Sequence, residues 1–228
     1  LLAEWIQEES RQTAMKMPKA EQKPYYEMSA IQKSIYMVSQ MDEDGVSYHI
    51  PSIYKIHGQL DIKKLEEAFA KLIQRHESFR TVFWVKDGLL VQQIQEEVPF
   101  AIQMLEYKGE NEKEMLDGFV EPFNLKAPPL LRVGYVEKND EEAYLLLDVH
   151  HIIADGISME LLAKELSMVY NNEPIADVQY QYKDYSEWMN QSDQSSKRSY
   201  WLNQFKDEVP VVEIPLDGVR TQKQDFTG

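Results

Sequence analysis

The chain has 228 residues, a formal net charge of −15 and no cysteine. Its 43% hydrophobic and 11% aromatic content is enough for a folded core, which excludes a disordered protein. The lack of cysteine excludes disulfides, a thiolate nucleophile and a cysteine-based zinc site, and the acidic charge argues against nucleic-acid binding. No apolar run approaches the roughly 20 residues of a membrane span, so we expect no membrane partner and a cytoplasmic location.

The first 24 residues are predicted to be separate from the rest. They contain four acidic and four basic residues, so the whole negative charge belongs to the part that follows. The polar run from Lys16 to Pro24 is typical of a linker. Residues 1–24 are therefore expected to hold the end of a preceding unit plus a linker, and residues 25–228 a folded domain. The preceding unit is expected to end in a helix, because helical spacing separates Leu1, Leu2, Trp5 and Ile6.

Helices and strands alternate in the first half of the chain. Ser29-Ala30-Ile31-Gln32 is a capping-box pattern that predicts a helix start. Asp61 predicts the cap of a second helix, whose apolar side chains form the clearest stripe in the sequence. Strands are expected near Tyr54 to His57, at Phe79 to Val85 and at Leu89 to Ile94, the last two joined by a tight hairpin turn.

The second half predicts a central strand covered by helices. A strand at 100–105 and a short helix at 112–119 precede two strands, 130–136 and 143–149, which form a hairpin. The second of these is apolar on both faces, as a central strand must be. An amphipathic helix follows from Ile157 to Tyr170, and then two aromatic-rich helical patterns. Together these elements predict an α/β structure with a mixed, largely antiparallel sheet covered by helices.

Two adjacent histidines follow the central strand, in His150-His151-Ile152-Ile153-Ala154-Asp155-Gly156. Neighbouring side chains of a strand point to opposite faces, so one imidazole can face a reaction cavity while the other packs behind it. A neutral imidazole accepts a proton from an amine, hydroxyl or thiol near pH 7. Asp155 could orient that imidazole or cap the next helix. Two core histidines are the alternative, whereas divergent side chains disfavour a metal site with His49, His57 and His76.

The residues around the two histidines resemble the active-site motif of condensation domains of nonribosomal peptide synthetases. That motif is shared with chloramphenicol acetyltransferase and other CoA-dependent acyltransferases, and further segments narrow the resemblance to condensation domains. The segments similar to condensation-domain motifs are Ser29 to Tyr36, Arg75 to Phe83, Pro122 to Leu125, Ala127 to Arg132, Val149 to Ser158 and Tyr182 to Trp188.

The resemblance implies a chloramphenicol acetyltransferase-like sandwich that is one lobe of a V-shaped, two-lobe domain. It covers only the N-terminal lobe, so we expect the second lobe to be absent and the isolated chain to be inactive. The parent protein would form a peptide bond between two thioesters held on phosphopantetheine by carrier proteins. The implied partners are an upstream donor carrier, a downstream acceptor carrier, the second lobe and adjacent synthetase domains. No metal or cofactor is expected on this lobe itself.

By position, the resemblance gives His151 the central role, either as base or by positioning the amine, with His150 packed behind it. Gly156 would leave room and a backbone N–H near the reacting centre. Ser158 would hydrogen-bond close by or start the helix.

The resemblance also implies supporting residues. Asp155 is similar to a structural residue paired with an arginine, with Arg75 favoured over Arg80. Two other functions stay open. One is a stand-alone CoA-dependent acyltransferase completed by trimerisation, and the other is a non-catalytic module that docks carrier proteins.

Overall fold

Seven strands in the described residues form two separate sheets. The computed structural model describes residues 17–41, 45–207 and 209, so the helical pattern predicted at the N-terminus lies outside them. The smaller sheet has the order β1-β4-β3 and is antiparallel. Its strands are β1 (Tyr26–Glu27), β3 (Thr81–Lys86) and β4 (Leu89–Ile94).

The larger sheet has the order β2-β7-β6-β5 and carries the two histidines at the end of β7. Its strands are β2 (His49–His57), β5 (Gln103–Glu106), β6 (Leu131–Asn139) and β7 (Glu142–His150). β7 pairs antiparallel with β2 and β6, whereas β5 runs parallel to β6. The predicted mixed, largely antiparallel arrangement is therefore confirmed, with β7 as a central strand buried from Ala143 to His150.

The predicted helices are present with small shifts at their ends. They are α1 (Ala30–Met41), α2 (Ile62–Arg75), α3 (Glu112–Phe119), α4 (Gly156–Tyr170), α5 (Tyr182–Gln191) and α6 (Ser195–Gln204). The Ser29 and Gln32 capping box is formed, with N···O distances of 2.9 and 3.2 Å. Asp61 caps α2 by accepting from the N–H of Lys64 at 3.0 Å. Each cap is formed by residues that lie within one helical turn of each other. This is why both helix starts can be predicted from the sequence.

Helices cover both faces of the larger sheet. On one face, α2 and α4 pack against the side chains of Leu145, Leu147 and Val149. On the other face, α3 packs against Tyr144 and Leu146. Strand alternation extends this second face to Asp148 and His150. The histidine that ends β7 therefore belongs to the α3 face of the sheet.

One local feature differs from the prediction, and another confirms it. Residues 77–80 form a 3₁₀ helix, so the strand predicted from Phe79 begins only at Thr81. Arg80 explains the difference, because its guanidinium donates to four backbone carbonyls and needs a curved backbone around it. The hairpin between β3 and β4 is confirmed. Its two turn residues, Asp87 and Gly88, have φ values of +49° and +79°, as a type I′ turn requires.

The described part of the expected linker is bound to α5. The N–H of Ala20 donates to Asp184 Oδ1 at 2.8 Å, and the N–H of Gln181 donates to Asp184 Oδ2 at 2.8 Å. Lys23 pairs with Glu187 on the same helix. This segment, residues 19–23, is called the entry strap below.

The chain divides into two units, Leu1–Asn190 and Gln191–Gly228. The described part of the second unit is mainly α6, where the rings of Trp201 and Phe205 stack with centroids 5.9 Å apart. None of the helices in the described ranges has the length and apolar character needed to cross a bilayer.

The packing of α3 on the sheet can be tested by a substitution at Gly134 on β6. A Cβ added there would lie 2.8 Å from Phe119 Cε2 and 2.9 Å from Leu105 Cδ1, so we expect Gly134→Ala to lower the free energy of unfolding by about 1–3 kcal/mol. Gly118→Ala is the control, because an added Cβ there meets nothing within 4 Å and alanine favours the helix by about 0.5–1 kcal/mol. Chemical denaturation measures both, and equal effects would contradict the packing.

Candidate functional site

The two histidines lie where β7 passes into a turn before α4. His150 is the last residue of the strand, and its N–H donates to the carbonyl of Leu130 at 3.0 Å. His151 is the first residue of the turn, and its N–H donates to the carbonyl of Tyr48 at 2.7 Å. Two backbone hydrogen bonds thus fix the histidine turn to the segments that lead into β6 and β2.

The two imidazoles have opposite environments, as predicted. His151 is exposed, whereas only 4% of His150 is exposed. The packing of His150 and the exposure of His151 follow the expected division, whereas a reaction cavity in front of His151 stays a prediction.

The buried imidazole of His150 is held neutral. Burial is the main reason that its pKa is lowered from 6.5 to about 4, and the neighbouring His49 and His151 lower it further. Its Nδ1 accepts a hydrogen bond from the N–H of Ile152 at 3.1 Å, so the ring proton sits on Nε2. His150 therefore supports the turn and does not exchange protons near pH 7.

A buried ionic network lies beside His150. Asp148 has no solvent exposure, and its Oδ2 accepts from Arg132 Nη1 at 2.9 Å. Nδ1 of His49 lies 3.0 and 2.9 Å from the two oxygens of the same carboxylate. The ring of Phe123 stacks on His49 and lies under the guanidinium of Arg132. This network is called the Asp148 cluster below.

The Asp148 cluster is not predicted from the sequence, although the sequence carries one signal for it. Asp148 is the only charged residue in the otherwise apolar run from Tyr144 to Val149. A carboxylate in a central strand has to be paired, because an unpaired buried charge costs several kcal/mol. Its partners lie 16 and 99 positions away, and no sequence periodicity connects residues at such separations.

The expected ion pair between Asp155 and an arginine is a wrong prediction. Asp155 caps α4 instead, accepting from the N–H of Ser158 at 2.8 Å and from its hydroxyl at 2.6 Å. These two hydrogen bonds hold the pKa of Asp155 below its usual value. The helix-capping alternative is thus the one that the structure supports, and Ser158 acts at the helix start.

Both candidate arginines bind elsewhere. Arg75 donates from Nε to Glu165 Oε2 at 3.1 Å and from Nη2 to Glu165 Oε1 at 3.3 Å. His76 Nε2 lies 2.6 Å from Glu165 Oε2. Arg80 donates to backbone carbonyls around the 3₁₀ helix. A carboxylate on α4 nine residues beyond Gly156 therefore satisfies the arginine that was expected at Asp155.

Gly156 is the first residue of α4. A Cβ added there would meet no heavy atom within 4 Å among the described residues. The position of an added Cβ is thus open, whereas room for a reacting centre beside Gly156 stays a prediction. No close neighbour in this part of the chain requires glycine there.

The other histidines do not gather near the turn as a group. His49 joins the Asp148 cluster, His76 binds Glu165, and His57 is exposed at the far end of β2. Across the described ranges, no group of three or more histidine or acidic side chains is arranged to hold a metal ion.

A mainly apolar cavity of about 310 Å³ lies between β2, β7 and α4. Its walls include Leu145, Leu147, Met159, Leu162 and Leu166. These side chains can hold an aliphatic group, and the polar side chains of Tyr54, Ser167, Tyr170 and Asn171 complete the lining.

Comparison with known proteins identifies relatives along the whole chain. A family model described as "Condensation domain" matches residues 22–228. Bacitracin synthase 3 of Bacillus licheniformis is 40% identical over 231 aligned residues, covering 100% of this chain and 4% of that protein. Gramicidin S synthase 2 of Brevibacillus brevis is 39% identical, with 100% and 5% covered. The chain spans less than a tenth of the length of these curated relatives.

Solved structures show the same fold. A complex of the X-domain and OxyB from teicoplanin biosynthesis matches with a TM-score of 0.79 and 23% identity, covering 91% of this chain and 50% of that one. The EpoB cyclization-docking bidomain from Sorangium cellulosum matches with a TM-score of 0.75 and 21% identity, covering 95% and 46%. The chain thus corresponds to about half of each matched structure.

The buried His150 predicts a pH dependence of stability. Its pKa is about 4 in the folded chain against 6.5 ordinarily, so the unfolded state binds the proton first as the pH falls. We expect this residue to remove about 3 kcal/mol from the free energy of unfolding between pH 7 and pH 4. Denaturation at several pH values should give a shallower dependence for His150→Asn, which keeps an acceptor for the N–H of Ile152. His57→Asn is the control, because it makes the same substitution at an exposed position of β2.

The cap at Asp155 predicts a specific pattern of stability changes. Asp155→Ala should cost about 1 kcal/mol, because the N–H of Ser158 loses its acceptor at the start of α4. Asp155→Asn keeps a side-chain oxygen and should stay within a few tenths of a kcal/mol of the original chain. Urea denaturation measures both variants. An equally large loss for the asparagine variant would instead support an ionic role for this carboxylate.

Proposed function

Because the chain belongs to the condensation-domain family, we propose that it is the N-terminal lobe of a domain that forms a peptide bond in a nonribosomal peptide synthetase. The donor and acceptor would arrive as thioesters on phosphopantetheine arms of two carrier proteins in the cytoplasm. A second lobe would supply the other wall of the reaction site. Residues 1–24 would connect the lobe to the upstream carrier.

The observation that carries this proposal is the exposed imidazole of His151 at the end of a rigid central strand. The neutral His150 and the buried strand beneath it keep the turn in place. An imidazole fixed in this way is suited to proton transfer or to orienting an amine near pH 7. The open space in front of Gly156 leaves room for the reacting groups.

The proposed reaction needs no covalent enzyme intermediate. The acceptor amine attacks the donor carbonyl carbon, the new C–N bond forms, and the C–S bond of the donor thioester breaks. His151 accepts the proton lost by the amine and returns it to the departing thiolate. The products are a longer peptide on the acceptor carrier and a free thiol on the donor carrier, so atoms and charge balance.

The test is His151→Ala in a complete synthetase that carries this chain. A positioned acid–base residue contributes about 100-fold or more, so we expect single-turnover peptide formation to fall by at least that factor while the fold is kept. Circular dichroism and unfolding of the 228-residue chain check the fold. The control is His57→Ala, which removes another exposed histidine and should leave the rate unchanged. Unchanged peptide formation in the His151 variant would overturn the proposal.

A further inference from the structure

The carboxylate of Asp148 and the imidazole of His49 are shielded from solvent, and Arg132 lies at the more exposed side of the cluster. Because an ionised carboxylate only accepts hydrogen bonds, Nδ1 of His49 has to carry a proton and donate it to Asp148. The guanidinium of Arg132 supplies the opposite charge at 2.9 Å. The side chain of His49 is 3% exposed and that of Asp148 is fully buried. A hydrogen-bonded ion pair at this depth fixes its members in one arrangement.

Aromatic packing links the cluster to the histidine turn. Phe123 stacks on His49 with ring centroids 4.9 Å apart, and Arg132 lies 4.5 Å from the centre of the same ring. His150 packs edge-on against His49 at 5.7 Å and against Phe123 at 6.1 Å. The buried histidine of the motif is therefore one wall of the cluster.

Backbone hydrogen bonds connect the histidine turn to residues next to the same cluster. The carbonyl that holds His151 belongs to Tyr48, the residue before His49. The carbonyl that holds His150 belongs to Leu130, two residues before Arg132. Both anchors of the turn thus lie within two residues of a side chain that Asp148 binds. A shift of either partner would be transmitted to the turn through one or two peptide units.

We propose that Asp148 is a positioning residue for His151, acting through His49 and Arg132. The inference rests on the proposed function of His151 and assigns the cluster no contact with substrate. The cluster keeps the carbonyl of Tyr48, and with it the exposed imidazole, in the orientation that the reaction needs. A misplacement of about 1 Å can cost about 100-fold in rate, so precision here affects turnover more than binding.

The chain contains a matched control for a purely structural role. Glu165 also accepts hydrogen bonds from one arginine and one histidine, Arg75 and His76. It lies on α4, nine residues beyond Gly156 and away from the histidine turn. Glu165→Gln therefore disturbs the same kind of ion pair in the same lobe without acting on the anchors of His151.

The experiment compares four variants in the complete synthetase by single-turnover peptide formation. His49→Leu and Asp148→Asn should slow the reaction at least about tenfold at saturating acceptor carrier, with the KM for that carrier within about twofold. His49→Asn should recover most of the rate, because its amide nitrogen occupies the position of imidazole Nδ1 and can donate to Asp148. Glu165→Gln should lower stability while its rate stays within about twofold.

The outcomes separate the two proposals. If His151→Ala abolishes peptide formation but His49→Leu is as fast as Glu165→Gln, the positioning role of Asp148 is wrong and the proposed function stands. If His151→Ala itself keeps full activity, both proposals fail. Asp148→Asn leaves the guanidinium of Arg132 short of a counter-charge and can unfold the lobe. In that case the pair His49→Leu and His49→Asn decides, because both substitutions leave the ion pair between Arg132 and Asp148 in place.

Discussion

One buried carboxylate, that of Asp148, joins three strands of the larger sheet. It is fully buried, and Arg132 on β6 and His49 on β2 both bind it. Removing one partner from a buried ion pair typically costs about 3–5 kcal/mol, since the other charge is left uncompensated. A slip between these strands would separate the carboxylate from its partners. The register that places His49 opposite His150 is therefore specified by charge as well as by packing.

The same chemical arrangement occurs a second time on α4. Glu165 binds Arg75 and His76 at the end of α2 and so fixes the middle of α4 to that helix. The N-terminus of α4 is fixed separately by the cap at Asp155. These two contacts hold the body and the start of α4, whereas the histidine turn itself is held by its backbone hydrogen bonds to Leu130 and Tyr48. The arginine expected at Asp155 is not needed there, and it contributes to the second anchor instead.

Local signals explain what the sequence predicts well. The two caps and the apolar central strand depend on neighbouring residues, so α1, α2 and β7 are found close to their observed limits. The division into two sheets, the two-residue strand β1 and the 3₁₀ helix before β3 depend on contacts between distant segments. The candidate site shows the same difference between local signals and contacts of distant segments. The burial of His150 and the exposure of His151 follow from strand alternation, and the cap of Asp155 is a local contact with Ser158. The partners of Asp148 and Arg75 are set by tertiary packing that no spacing in the sequence reveals.

The entry strap has a consequence for how the lobe opens. Ala20 and Gln181 donate their backbone amides to the two oxygens of Asp184, although Ala20 and Asp184 are 164 positions apart. Release of the strap exposes the Ala20 amide, whereas the Gln181 amide keeps its acceptor three residues away at the start of α5. Protection of the Ala20 amide against hydrogen exchange therefore reports whether the strap is bound to α5, separately from the folding of that helix.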